Sequence, residues 1–178
     1  MSQQTITDIY AANASIHNKL KEAVTAVTDP QLSTLPDGEK WNVSQIVEHV
    51  SIVQEAALRI CSKLLSAAQA ENQMSDGKVE ISENFGTKST EVGALKLEAP
   101  ERVQPSHGRT IKESLTAMDE TEQKLNDLKE LFAKYDCNSQ KFPHPFFGDL
   151  SAAEWLILVG GHEARHLKQI RNLVAKIG

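Results

Sequence analysis

The sequence predicts an all-α fold, a four-helix bundle with a long crossover between its second and third helices. Three observations carry that expectation. Apolar residues recur at helical spacing over four separate stretches. The last three stretches each open on a capping pair: Asn42 with Gln45, Thr110 with Glu113, and Ser151 with Glu154. Between the second and third stretches, Gln73 to Arg109 is punctuated by Gly77, Gly86, Gly93, Pro100, Pro105 and Gly108. Such a segment cannot continue a helix, but it can return the chain to the distant start of the next one.

Helix one is expected from Thr5 to Val27, with Ile6, Ile9, Ala12, Ile16, Leu20, Val24 and Val27 on one stripe. His17 lies beside that stripe and reads as a half-buried or solvated histidine with no second ligand nearby. Thr28 to Lys40 is a connection containing Pro30, Pro36 and Gly38. Helix two opens after Trp41, which occupies the staple position and should make an apolar contact. Its stripe is Ile46, Val50, Val53, Ala57, Ile60 and Leu64. His49 falls about 60° from Ile46, at the stripe's edge, and Glu48 points away.

Within the crossover, Val79–Ile81 and Ala94–Leu97 are expected as short extended pieces, and His107 has no assigned role. Helix three runs from Thr110 with Ile111, Leu115, Met118, Leu125 and Phe132 facing inward. Asp136 to Leu150 reads as a loop in which His144 packs between two prolines, with a place at the mouth of the pocket as the alternative. Helix four begins at Ser151 and runs nearly to Gly178.

A length of 178 residues predicts a single domain, 1–178. The net charge of −5 and the absence of a basic stripe argue against nucleic acid as a partner. No apolar run reaches the ~20 residues a membrane span needs. Cys61 and Cys137 have neither metal-ligand nor framework spacing, and Met1–Tyr10 has no signal-like character. The expected compartment is therefore the reducing cytoplasm.

The chemistry lies in three histidines. His162 and His166 are one turn apart on helix four, on the same apolar face as Val159, Ile170 and Leu173. Buried imidazoles need partners, and a metal ion would satisfy both, with His49 supplying a third nitrogen. Neutral imidazole suits Zn, Ni, Fe or Cu. Three nitrogen ligands with an open position describe a catalytic rather than a structural site. Protons compete for these nitrogens as pH falls through about 6.5.

Residues 162–166 also match H-E-x-x-H, the zinc metalloprotease motif. Those enzymes commonly take a third ligand from downstream, and Leu167 to Gly178 contains no histidine, aspartate or glutamate. The protease reading therefore lacks its context. Glu163 remains a candidate catalytic base beside the metal, against the plainer expectation of a solvated Glu163–Arg165 pair near the surface.

Three segments resemble the DinB/YfiT family of metalloenzymes. They are Trp41-Asn42-Val43-Ser44-Gln45-Ile46-Val47-Glu48-His49; His144-Pro145-Phe146-Phe147-Gly148-Asp149-Leu150 running into Ser151-Ala152-Ala153-Glu154-Trp155; and Gly161-His162-Glu163-Ala164-Arg165-His166-Leu167-Lys168-Gln169-Ile170. The resemblance implies a four-helix bundle holding a divalent metal, Zn or Ni first, through His49, His162 and His166. Val43 departs from the pattern, standing where the family often has proline. The resemblance further implies a small-molecule substrate, a low-molecular-weight thiol as co-substrate, and a homodimer. The expected function is metal-dependent transfer of that thiol to an electrophile. A metal-dependent hydrolase and a non-catalytic metal-binding bundle are the alternatives.

Overall fold

The computed structural model describes residues 4–94, 98–106 and 108–178, with residues 92–94 as backbone alone. Four of the helices begin where a side chain can accept a bond from an otherwise unpaired amide. Thr5 caps α1 (Ile6–Thr25), Asn42 caps α3 (Val43–Ala70), Thr110 caps α5 (Ile111–Asp127) and Ser151 caps α7 (Ala152–Ile177). In each case the residue three further on bonds back, completing a capping box.

Shorter elements join them. The connection after α1 contains α2 (Asp29–Ser33), with Pro30 in its first turn, where a missing N–H costs nothing. The predicted third helix is interrupted: α5 ends at Asp127 and α6 (Lys129–Lys134) follows across Leu128. Asn126 and Asp127, weak helix formers, stand at the break.

Two expectations for the connections need correction. The crossover contains a helix, α4 (Glu83–Ala94), which accommodates Gly86 and Gly93, while Val79–Ile81 forms neither helix nor strand. Ala94 ends that helix; residues 95–97 and His107 lie outside the described residues. The expected loop Asp136–Leu150 contains a hairpin of β1 (Lys141–His144) and β2 (Gly148–Ser151), paired from Lys141↔Ser151 to His144↔Gly148. Gly148 adopts φ +77° and closes a three-residue turn, a conformation that favours glycine. Pro143 is tolerated because a two-stranded ribbon leaves one side of each strand unpaired.

The core falls into two apolar clusters. One gathers Ile9 and Tyr10 of α1, Leu65 of α3, Leu125 of α5, Phe132 of α6, Leu150 of β2, and Trp155 and Leu156 of α7. The other gathers Leu20 and Val24, Ile46 and Val50, Met118, and Ile170 and Leu173. Following each helix from one cluster to the other gives its direction. α1 and α7 run together, and α3 and α5 run together in the opposite sense. Because α3 and α5 are parallel, the chain must return along the molecule between them, and residues 71–110 do so.

Two buried carboxylates hold that return. Glu154 of α7, 1% exposed, accepts bonds from Ser82 N and Oγ at 2.8 and 2.6 Å. Burial alone would raise its pKa, but the bonds from Ser82 and Ser151 outweigh it and leave the group lowered. Glu48 of α3, 2% exposed, accepts from Ser106 N and Oγ at 3.1 and 2.8 Å. The expectation that Glu48 points away is thus overturned, because the crossover folds back over α3 and supplies its donors.

Gly160 lets α1 and α7 approach closely. A Cβ there would stand 2.1 Å from Asn13 Oδ1, and Asn13 is fixed by a 2.8 Å bond to Leu156 O. Gly160→Ala is expected to lower stability by about 1–3 kcal/mol. Denaturant unfolding of Gly160→Ala and of Asn13→Ala/Gly160→Ala checks this. The double variant should recover part of the loss, and strict additivity would show that the contact is not the cause.

Candidate metal centre

At the level between the two apolar clusters, all four long helices carry polar side chains. His17 comes from α1, His49 and Gln54 from α3, Asp119 and Glu122 from α5, and His162, Glu163 and His166 from α7. This band divides into two parts.

The first part is the histidine triad. His162 Nε2 lies 3.1 Å from His49 Nε2 and 3.1 Å from His166 Nε2. The three ligand atoms all fall within 4.8 Å of one another. His49 Nδ1–H donates to Val103 O at 2.6 Å, and His166 Nδ1–H donates to Gln169 Oε1 at 2.9 Å. Those bonds fix both tautomers with the lone pair on Nε2. His162 Nε2 can carry only one proton, so its two short contacts cannot both be hydrogen bonds. A cation among the three nitrogens removes that conflict. The spacing suits one: nitrogens about 2.0–2.1 Å from a shared ion stand about 2.9 Å apart at a right angle and about 3.4 Å apart at the tetrahedral angle. His162 Nδ1 is buried with no partner among the described residues.

Burial keeps these rings neutral, as ligation requires. It lowers the pKa of His49, pushes His166 down to about 3, and takes His162 well below its ordinary value. Arg165 adds to the effect on all three. Trp41 reaches this group, its ring 4.9 Å from that of His49, as well as packing on the apolar cluster expected for it.

The second part is centred on Glu163. The solvated Glu163–Arg165 pair is overturned: Glu163 is 1% exposed. Its Oε1 accepts from His17 Nδ1 at 2.8 Å and from Gln54 Nε2. His17, 3% exposed, is buried rather than solvated, because Asp119 of α5 approaches its Nε2 at 3.1 Å and Glu122 at 3.5 Å. Burial lowers the pKa of His17, but Glu163, Asp119 and Glu122 outweigh it and raise it to about 9. His17 is therefore an imidazolium at neutral pH. Lys21 Nζ, 2.5 Å from Asp119 Oδ1, offsets part of the remaining negative charge. Beside this group, a cavity of about 20 Å³ is lined by His17, Gln54 and Glu163, with room for about one water.

Both cysteines are buried, and burial raises their thiols to about 12 for Cys61 and about 11 for Cys137. Neither is a nucleophile at neutral pH.

The DinB superfamily description matches residues 15–170. The chain belongs to the DinB superfamily. The matched region contains His49, His162 and His166 together with His17 and Glu163. Uncharacterized protein YuaE of Bacillus subtilis (strain 168) is similar to this chain, 23% identical over 165 residues covering 90% of this chain and 91% of that protein.

Spacing alone could have nominated Gln169 of this DinB superfamily chain as the partner of His166, three residues away on one helix. The His17–Glu163 pair spans 146 residues and left no local trace. No described helix is long and apolar enough to cross a membrane.

The raised pKa of His17 fixes the sign of a pH effect. Its stabilising charge is fully present below about 6.5, the unfolded value, and is lost as pH rises through about 9. Thermal melting from pH ~6 to ~10 should show that decline in the parent protein and not in His17→Gln. The variant should start lower, by about 3–5 kcal/mol, because it leaves the Glu163 carboxylate buried without its cation. Parallel pH profiles would show that His17 is not the titrating group.

Proposed function

We propose that this DinB superfamily member is a metal-dependent enzyme whose Zn or Ni ion is held by Nε2 of His49, His162 and His166. The observation that carries the reading is the convergence of three neutral Nε2 atoms, two with their Nδ1–H already committed to oxygen acceptors. With three neutral ligands, such an ion would supply a full +2 charge that favours the thiolate form of a thiol. We propose transfer of a low-molecular-weight thiol to an electrophilic small molecule as the reaction. Two facts support it. Cys61 and Cys137 are buried and protonated, so the thiol comes from outside the chain. Glu163 is occupied by His17 and Gln54, which weighs against the hydrolase alternative in which it serves as base. Its part in the site is then to hold α7 against α1 and α3, which positions His162 and His166.

The same proposal takes residues 1–178 as one domain, its four long helices as the four-helix bundle, the cytoplasm as its compartment and a homodimer as its assembly.

Untagged protein should contain about one transition metal per chain by elemental analysis, and His49→Ala should lose most of it. Glu163→Gln should keep its metal; a loss there would place the carboxylate among the ligands. Conversion of a reactive electrophile should require added thiol. Turnover without thiol would overturn the transferase reading.

The lowered histidine pKa values move the proton competition below the value expected for free rings. Metal content should be unchanged between pH ~7.5 and ~5.5 on dialysis against metal-free buffer. Release between pH 7 and 6 would mean that the ligands titrate as solvated histidines.

A further inference from the structure

His144 is a histidine outside the triad whose two nitrogens are in different states. Its Nδ1 accepts bonds from Phe146 N at 3.2 Å and Phe147 N at 3.3 Å, inside the turn between β1 and β2. An acceptor nitrogen carries no proton, so the ring's N–H is on Nε2. That N–H has no hydrogen-bond partner among the described residues, and the ring is only half-buried. Burial and the charge of Arg102 push its pKa down to about 4, so the neutral tautomer persists across physiological pH.

The ring's surroundings connect it to the helix that carries His162 and His166. It packs against Trp155 with centroids 5.2 Å apart, and against Phe147 at 4.9 Å. Trp155 and His162 are seven residues apart on α7, two turns along one face and about 10 Å along the axis. The short turn Glu101–Val103 spans the same ground: Val103 O binds His49, while Arg102 acts on His144. His144 also acts electrostatically on His162. The charge of Arg102 is felt at His144 and that of Arg165 at His162.

We propose that His144 Nε2–H is a substrate-binding donor that receives the carboxylate of a small molecule whose other end sits at the histidine triad. The proposal rests on reading the triad as a metal site. It sets the substrate class as a short carboxylate-bearing molecule, long enough to reach from the triad to the hairpin. Pro143, Pro145 and Gly148 give the turn its form, and the two amides bonded to Nδ1 fix the tautomer with its proton on Nε2.

The test uses protein loaded with cobalt, whose absorption reports both site occupancy and thiol binding. The probes are ω-mercapto carboxylic acids of two to five carbons and the matching alkanethiols. His144→Asn retains an oxygen acceptor near the position of Nδ1 and removes Nε2–H. Thermal melting establishes that the variant is folded. In the parent protein, one chain length of mercapto acid should bind about tenfold or more tightly than its alkanethiol, as a bond to a charged acceptor allows. The variant should lose that preference while binding the alkanethiol as before. An unchanged preference in the folded variant would overturn the role of His144 and leave the metal site intact. Equal affinity for acid and alkanethiol in the parent would do the same. Failure of the parent to take up cobalt would overturn the metal reading, and this inference with it.

Discussion

The ion pair between His17 and Glu163 is the interaction on which the rest of the centre depends. A carboxylate 1% exposed is tolerable only with a positive partner and further donors, and His17 and Gln54 provide both. Because Glu163 lies next to His162 and three residues before His166, the pair fixes the rotation of α7 about its own axis. Rotation of that helix to release Glu163 would also turn both imidazoles. The anchor of the pair is distributed: α1 brings the cation, α5 brings Asp119 and Glu122 behind it, and α3 brings Gln54.

The same logic governs the crossover. Its first part is held to α7 by Glu154, and its last part to α3 by Glu48. Glu48 adjoins His49, which is itself bonded to Val103 O. That end of the segment is therefore fastened through His49 and its immediate neighbour. Charged groups placed in the protein interior give the irregular chain definite attachment points, which apolar packing of a glycine-containing segment would not.

The sequence made part of this legible and concealed the rest for physical reasons. Helical period and capping boxes announced α1, α3, α5 and α7, because both signals are local. His162 and His166 were visible as a pair for the same reason, while His49, a lone histidine at a stripe's edge, was a weaker candidate until the resemblance supported it. Glu48 and Glu163 were misread because helical period treats a charged residue beside a stripe as solvated, whereas their partners come from distant segments. The hairpin escaped notice because Pro143 and Pro145 suggest a loop, and only pairing across the turn shows how β1 uses its edge. In α4, Gly86 and Gly93 lower propensity without forbidding a helix.

The parallel sense of α3 and α5 has a consequence for how the molecule is made. His49 leaves the ribosome long before His162, and the chain between them must reverse direction three times, into the crossover, into α5 and into α7, before the two can meet. An i, i+4 histidine pair on α7 offers a metal only two nitrogens. The third, on α3, joins them when α7 docks against α3 and α1. A chain arrested before that docking has half a chelate. Retention of an ion by all three nitrogens would therefore require α7 packed on α3, and metal uptake would report that packing.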